Sequence, residues 1–79
     1  MSFAVYAIRG DAGRVYGGQS EDVARRLDAH NKGAVKSTKA DRPWILIKTE
    51  HFETRARARL FEWQLKRSQG KRLRWLKHM

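Results

Sequence analysis

FAVYAIRGDAGRVYGG, residues 3–18, predicts an antiparallel β-hairpin. Residues 3–9 are rich in strand-forming side chains, residues 10–13 carry the glycines and aspartate of a turn, and residues 14–18 form a short returning strand. Side chains alternate between the two faces of a strand, so Tyr6 and Tyr16 can face the same side. Each tyrosine taken alone is also explained as a cross-strand aromatic partner, which stabilises a sheet by roughly 0.2–1 kcal/mol.

A helix is predicted after the hairpin. Ser20 is a favourable N-cap, and Glu21 and Asp22 follow in the first turn, where the helix dipole favours anions. The helix runs through His30, and Gly33 predicts its C-terminal stop. Residues 32–42 then read as a polar, basic loop without periodicity.

The third strand is predicted over residues 44–52, directly after Pro43. Its apolar run, Ile45 to Ile47, has no polar residue to mark a solvent-facing side. Such a run is typical of a strand that is buried on both faces. We therefore expect this strand to lie in the centre of the sheet.

Two more helices are predicted in the C-terminal part of the chain. Thr54 is a favourable N-cap for a helix over residues 55–68, Gly70 interrupts it, and residues 71–77 form a short third helix. The side chains predicted to pack inward are Leu60, Phe61, Trp63, Leu65, Leu73, Trp75 and Leu76. The order β-β-α-β-α-α predicts one small α+β domain over residues 1–79, with a three-stranded antiparallel sheet flanked by helices.

The charge of the chain is strongly positive and unevenly placed. The net charge is +10, and residues 55–79 hold nine Lys or Arg residues and a single acid, Glu62. This distribution predicts a surface that faces a polyanion, most often nucleic acid. The basic residues expected to contact it are Lys36, Lys39, Arg59, Lys66, Lys71, Arg72 and Arg74.

Several classes of protein and site are excluded or disfavoured by composition. The chain has no cysteine, so disulfides and cysteine-ligated metal sites are excluded. The N-terminal residues resemble neither a signal peptide nor a membrane span. We therefore expect a cytoplasmic protein without a membrane partner.

Two pairs of side chains carry candidate chemistry. Arg26 and His30 are four residues apart and share a helix face, where Arg26 can bind a phosphate and His30 can hold a water or donate a proton. Glu62 can be explained by ion pairs along its own helix, because Lys66 lies four residues after it and Arg59 three residues before it. An ion-pair ladder of this kind stabilises a helix by about 0.2–0.5 kcal/mol per pair.

The spacing of these residues resembles the GIY-YIG nuclease domain. The first motif is present as Ala4-Val5-Tyr6 and the second as Tyr16-Gly17-Gly18, with Ser20 at the position of the family's frequent threonine. Arg26 and His30, the loop from Gly33 to Thr38, the Pro43-Trp44 pair, and Glu62 with Lys66 follow in register. The resemblance covers roughly residues 3–76.

The resemblance implies a metal-dependent endonuclease that hydrolyses phosphodiester bonds of DNA. Glu62 would bind one Mg²⁺ or Mn²⁺ ion, which polarises the scissile phosphate and stabilises the leaving 3′-oxygen. Arg26 would hold the phosphate, Tyr6 or Tyr16 would orient or deprotonate the attacking water, and His30 is a second candidate for proton handling.

The substrate implied is DNA rather than RNA, cut in a structure-specific or non-specific manner through phosphate contacts. A homodimer or a partner protein would supply further specificity. Two alternatives remain open, since Gly17 replaces the second motif's isoleucine and no Asn follows Glu62. The first is a nucleic-acid-binding module with little or no turnover, and the second is a structural protein that binds RNA or ribosomes.

Overall fold

The computed structural model describes residues 2–77 and contains a three-stranded antiparallel sheet. Strand β1 covers Phe3–Arg9, β2 covers Val15–Ser20 and β3 covers Ile45–Phe52. The order across the sheet is β2-β1-β3. The predicted limits of β1 are confirmed, and β2 continues two residues beyond its predicted end.

Three α-helices cover the sheet. They are α1 (Val23–Asn31), α2 (Arg55–Arg67) and α3 (Gln69–Lys77). A short 3₁₀ helix, Lys36–Asp41, lies within the segment predicted as a loop. The predicted α+β fold and the order β-β-α-β-α-α are confirmed. Among residues 2–77, no helix has both the length and the apolar character needed to cross a membrane.

The central strand is β1, so the prediction that the third strand is central was wrong. Residues 4–8 of β1 are all buried, whereas Ile45 and Leu46 of β3 are 52% and 42% exposed. An apolar run shows only that a strand prefers contact with apolar surface, and it does not show that strands pair on both sides. Here the N-terminal end of β3 forms an edge of the sheet, and its apolar side chains remain partly in solvent.

The sheet separates two layers of packing. On the face covered by α1, Tyr6, Ile8 and Trp44 form a buried cluster together with Tyr16 and Leu27. On the opposite face, Val5, Ala58 and Leu65 form a second cluster, joined by the partly buried aromatic residues Phe3, Phe52, Phe61 and Trp75. Residues of β1 therefore alternate between two small cores.

Helix α1 begins at a different residue from the one predicted. Asp22, rather than Ser20, is the N-cap, and its carboxylate accepts a 3.0 Å hydrogen bond from the backbone N–H of Arg25. Ser20 ends β2 and braces the cap, since its hydroxyl accepts from the N–H of Asp22. The predicted stop is confirmed, because Gly33 has a φ of +79°, a conformation that favours glycine at a helix end.

The junction between α2 and α3 also differs from the prediction. Thr54 caps α2 as expected, accepting from the N–H of Arg57. The break falls at Ser68, whose extended backbone ends α2 and whose hydroxyl accepts from the N–H of Lys71. Gly70 lies inside α3 and does not interrupt the helix, because a serine that caps the next helix is the stronger signal.

Helix α2 is rotated relative to the packing face predicted for it. Ala58 and Leu65 are buried, whereas Leu60 and Trp63 are 54% and 52% exposed. Leu73 of α3 is also 51% exposed, so three of the side chains predicted to pack inward face solvent instead. The prediction assumed that the large apolar side chains of α2 mark its packing face. The close contact with β1 is instead made through the small side chain of Ala58.

The adjacent glycines of β2 have opposite surroundings. A Cβ atom at Gly18 would lie 2.7 Å from the hydroxyl oxygen of Tyr6, so the phenol lies directly over this glycine. A Cβ atom at Gly17 would meet only a backbone oxygen at 3.5 Å. Gly17 lines a cavity of about 70 Å³ on the α2 side of the sheet, together with Val5, Ala7, Glu62, Leu65 and Trp75.

We expect Gly17→Val to raise the free energy of unfolding by about 1 kcal/mol, because it fills the cavity and stiffens the unfolded chain. For a domain of this size the melting temperature should rise by about 4–8 °C, measured by circular dichroism. Gly18→Ala is the matched control. It should lower stability by about 1 kcal/mol or more, since the added methyl group collides with Tyr6. Equal effects at both glycines would contradict this account.

Candidate active site

A buried chain of hydrogen bonds connects Tyr6, His30 and Thr38. The hydroxyl of Tyr6 lies 3.0 Å from Nε2 of His30, and Nδ1 of His30 lies 2.8 Å from Oγ1 of Thr38. All three side chains are essentially enclosed, with exposures of 1%, 0% and 0%. His30 is therefore an interior residue of the α1 layer rather than a surface group at the helix end.

The direction of this chain follows from its last bond. The hydroxyl of Thr38 donates to the carbonyl of Val35 at 3.3 Å, so its oxygen accepts from Nδ1–H of His30. Nε2 then carries no proton and accepts from the hydroxyl of Tyr6. Burial and the nearby charge of Arg26 lower the pKa of His30, which keeps the imidazole neutral.

The electrostatics of Tyr6 show which charges lie near it. Burial raises the pKa of Tyr6, while the nearby guanidinium of Arg26 acts in the opposite direction. The negative charge of Glu62 adds to the increase in the pKa of Tyr6. Arg26 and Glu62 are therefore both close enough to influence the phenol.

Tyr16 is the more accessible of the two tyrosines. It is partly buried, and its ring stands edge-on to His30 with centroids 5.2 Å apart and to Trp44 at 6.3 Å. Tyr16 pairs with Ile8, and Tyr6 pairs with Gly18. Both phenols consequently lie on the α1 face of the sheet, as the strand alternation predicts.

Glu62 approaches from the other face of the sheet and meets the hairpin at its outer edge. Gln19, on the edge strand β2, donates from Nε2 to Oε1 of Glu62 at 3.1 Å. The second carboxylate oxygen, Oε2, lies 3.1 Å from Nζ of Lys66. The Glu62 side chain is only 17% exposed, whereas the Lys66 side chain is 67% exposed. The expected Glu62–Lys66 pair is therefore present, and one partner is largely enclosed.

Three of the predicted site residues, Tyr6, Arg26 and Glu62, lie around the Gly18–Gln19 segment of β2. Tyr6 lies over Gly18, Glu62 is hydrogen-bonded to Gln19, and the exposed Arg26 lines a surface cleft that also contains Gln19. Tyr6 and Tyr16 both contact His30 on one side of this edge, and Glu62 reaches it from the other. The edge strand is thus where the two layers come together.

Gln19 and Thr38 are site residues that the sequence prediction missed. Gln19 directly follows the Tyr16-Gly17-Gly18 motif, so its position was a usable signal, but an amide has no distinctive pattern of its own. Thr38 belongs to the loop that matches the family, although nothing in its spacing indicates a contact with His30. The sole Asn of the chain, Asn31, is engaged elsewhere, because its amide binds both backbone polar groups of Trp44.

The oxygens around Glu62 suit a hard divalent cation. Within residues 2–77 no cluster of three or more His, Asp or Glu side chains could enclose an ion. Mg²⁺ does not need such a cluster, since it typically retains waters and takes one or two carboxylates plus phosphate oxygens. The Gln19 amide presents Nε2 to the carboxylate of Glu62, and its Oε1 is buried without a hydrogen-bond partner. With the amide turned over, Oε1 and the carboxylate together fit a cation.

The predicted nucleic-acid contacts fall into different environments. Lys36, Lys39, Arg59 and Arg74 are exposed, and Lys66 is exposed while paired with Glu62. Lys71 donates to Oε1 of Gln64 at 2.8 Å. Arg72 is partly buried and donates to the carbonyl of Val15, so it also ties α3 to the hairpin. The free cations of this set therefore lie on the 3₁₀ helix, α2 and α3.

Comparison with known proteins identifies relatives of the whole chain. The family model described as the GIY-YIG catalytic domain matches residues 2–75. UPF0213 proteins from Staphylococcus aureus strains Mu3 and N315 are 36% identical over 78 residues, covering 96% of this chain and 95% of theirs. The solution NMR structure of a UPF0213 protein from Bacillus halodurans is similar with a TM-score of 0.59 and 30% identity, covering 98% of this chain and 86% of that one.

Because the imidazole of His30 is buried and neutral, we expect the protein to lose stability in acid. The native state holds His30 neutral with a lowered pKa, whereas the unfolded chain protonates it at its ordinary pKa of 6.5. The contribution of the neutral His30 to the free energy of unfolding is therefore complete above about pH 6.5, and it is lost as the pH falls below that value. Urea denaturation between about pH 8 and pH 5 should show this decline in the wild type and a shallower one in His30→Gln. His51→Gln, at an exposed position, should retain the full decline. An unchanged slope in His30→Gln would contradict the prediction.

Proposed function

Because the chain belongs to the GIY-YIG family, whose fold is that of nucleases, we propose that this protein is a metal-dependent endonuclease acting on DNA phosphodiester bonds. The observation that carries the proposal is the meeting of Tyr6, Arg26 and Glu62 at the Gly18–Gln19 edge. Around this edge, the accessible phenol of Tyr16, the guanidinium of Arg26 and the carboxylate of Glu62 combine water orientation, phosphate binding and cation binding.

The residues divide into those that touch substrate and those that position them. Arg26 is exposed and binds the scissile phosphate through paired N–H donors. Tyr16 is the accessible phenol, and it orients the attacking water. Tyr6 and His30 are too enclosed to reach solvent. They are positioning residues, because their shared hydrogen bond holds the buried surface next to which Tyr16 and Arg26 lie.

Glu62 and Gln19 are the side chains that would hold a Mg²⁺ or Mn²⁺ ion. When bound, the ion supplies charge that polarises the phosphate and stabilises the leaving oxygen. Lys66 must leave Oε2 of Glu62 before a cation is held there, and its exposed ammonium makes this a weak pair, worth about 0–1 kcal/mol. Once released, the Lys66 ammonium is free to contact a DNA phosphate.

The basic surface supports DNA binding dominated by phosphate contacts, with cleavage that is structure-specific or non-specific. We also propose a cytoplasmic location, and a homodimer or partner protein as the source of further specificity. The Lys66 contact favours one alternative function, a binding module with little turnover, because both oxygens of Glu62 are already engaged by protein groups.

Glu62→Gln should reduce metal-dependent cleavage by about 100-fold or more, because it removes the anionic ligand at little cost in shape. The assay uses labelled single-stranded, duplex, flap and four-way-junction DNA, with Mg²⁺, Mn²⁺ or EDTA. Glu53→Gln, an exposed acid outside the site, is the matched control and should keep full activity. DNA binding by the wild type without cleavage of any substrate would instead support the binding module.

Metal binding itself can be measured without DNA. Titration with Mn²⁺, followed by water-proton relaxation, should give an affinity that is lost in Glu62→Gln and weakened in Gln19→Ala. Lys66→Met should bind the ion more tightly than the wild type, because it removes the competing cation from the carboxylate. Unchanged affinity in Gln19→Ala would exclude its amide oxygen as a ligand, while leaving Glu62 in place.

A further inference from the structure

One side of α2 carries a stripe of four charged side chains and a tryptophan, in which Glu62 is partly buried and the other four are exposed. Arg59, Glu62, Trp63, Lys66 and Arg67 are spaced at i, i+3, i+4, i+7 and i+8, so they share one side of the helix. Neighbours at this spacing have Cβ atoms about 5–6 Å apart. Trp63 directly follows Glu62 in α2, and its neighbours one turn away in the stripe are the cations Arg59, Lys66 and Arg67.

Trp63 lies outside the two buried clusters of the protein. Its side chain is 52% exposed. The guanidinium of Arg67 lies over its ring, 4.8 Å from the centroid. Leu60, one turn before, is 54% exposed and extends the apolar surface. A large aromatic side chain held in solvent under an arginine is typical of surfaces that bind nucleic acid.

The charge of the stripe decides what can cover the indole ring. A second copy of the chain would bring Arg59, Lys66 and Arg67 against cations of the same sign, in a region with net charge +8 over residues 55–79. A polyanion is attracted by the same cations. The cations are sufficient to bind phosphate groups, whereas the indole ring adds a surface on which a base can stack.

Bases inside a duplex are already stacked on each other, so their faces are not free. From this geometry we infer that Trp63 stacks on an unpaired base of DNA whose scissile phosphate lies at the proposed active site. The substrate class is therefore DNA with single-stranded character, such as a flap, a gap or a branch. This inference rests on the proposed function for the position of the phosphate, but not for the contact with the base.

The experiment measures binding in EDTA, so no cleavage takes place. Fluorescence anisotropy compares labelled oligo-dT with a perfectly paired hairpin that carries the same number of phosphates. Trp63→Ala should weaken oligo-dT binding by about 5-fold to 150-fold, the range found when one stacked base is lost, and Trp63→Phe should retain most of the affinity. Hairpin binding should change by less than about twofold, because phosphate contacts remain.

Leu73→Ala is the matched control, since Leu73 is an equally exposed apolar residue on α3, and it should bind both probes like the wild type. Equal losses for oligo-dT and hairpin, no loss for either, or an equal loss in Leu73→Ala would overturn the inference. A Trp63-dependent dimer in sedimentation would also overturn it. Oligo-U in a parallel titration tests whether the ribose matters. Failure of cleavage with normal oligo-dT binding would count against the proposed function alone.

Discussion

The close approach of Tyr6 to Gly18 is the constraint on which the site depends. The phenol crosses the neighbouring strand at a position where any Cβ atom would lie 2.7 Å from its oxygen. Only glycine permits this path, and the path brings the hydroxyl to Nε2 of His30. Through His30 and Thr38 the same phenol is connected to α1 and the 3₁₀ helix. The absence of a side chain at Gly18 therefore permits the packing of the whole α1 layer.

The outer edge of β2 joins this layer to the one beneath the sheet. Gln19 points toward Glu62 on the α2 side, while Gly18 receives Tyr6 on the α1 side. Successive residues of a strand face opposite sides, so a two-residue segment can present groups from both layers to one stretch of surface. An edge strand is required for this, because a central strand would be covered along both of its sides.

The elements that follow a simple period were predictable from the sequence. Alternation in residues 3–18 predicted the hairpin and permitted Tyr6 and Tyr16 to share one face, and the register Tyr6–Gly18 and Ile8–Tyr16 places them there. The edge position of the third strand was not predictable, because the Ile45–Ile47 run would look the same in a central strand. Trp63 was assigned to the core for a similar reason. Hydrophobicity reports the preference of a side chain, whereas the small Ala58 decided which side of α2 could approach the sheet.

The exposed edge at β3 has a consequence for the behaviour of the protein in solution. Its Ile45 and Leu46 side chains and its unpaired backbone groups resemble a surface on which another strand can add. Molecules with a net charge of +10 repel one another, and this repulsion acts over a Debye length of about 10 Å at 0.1 M salt. The positive charge therefore keeps the chains dispersed. Concentrated salt, or neutralisation of the charge by a polyanion, removes that protection and favours association of this edge.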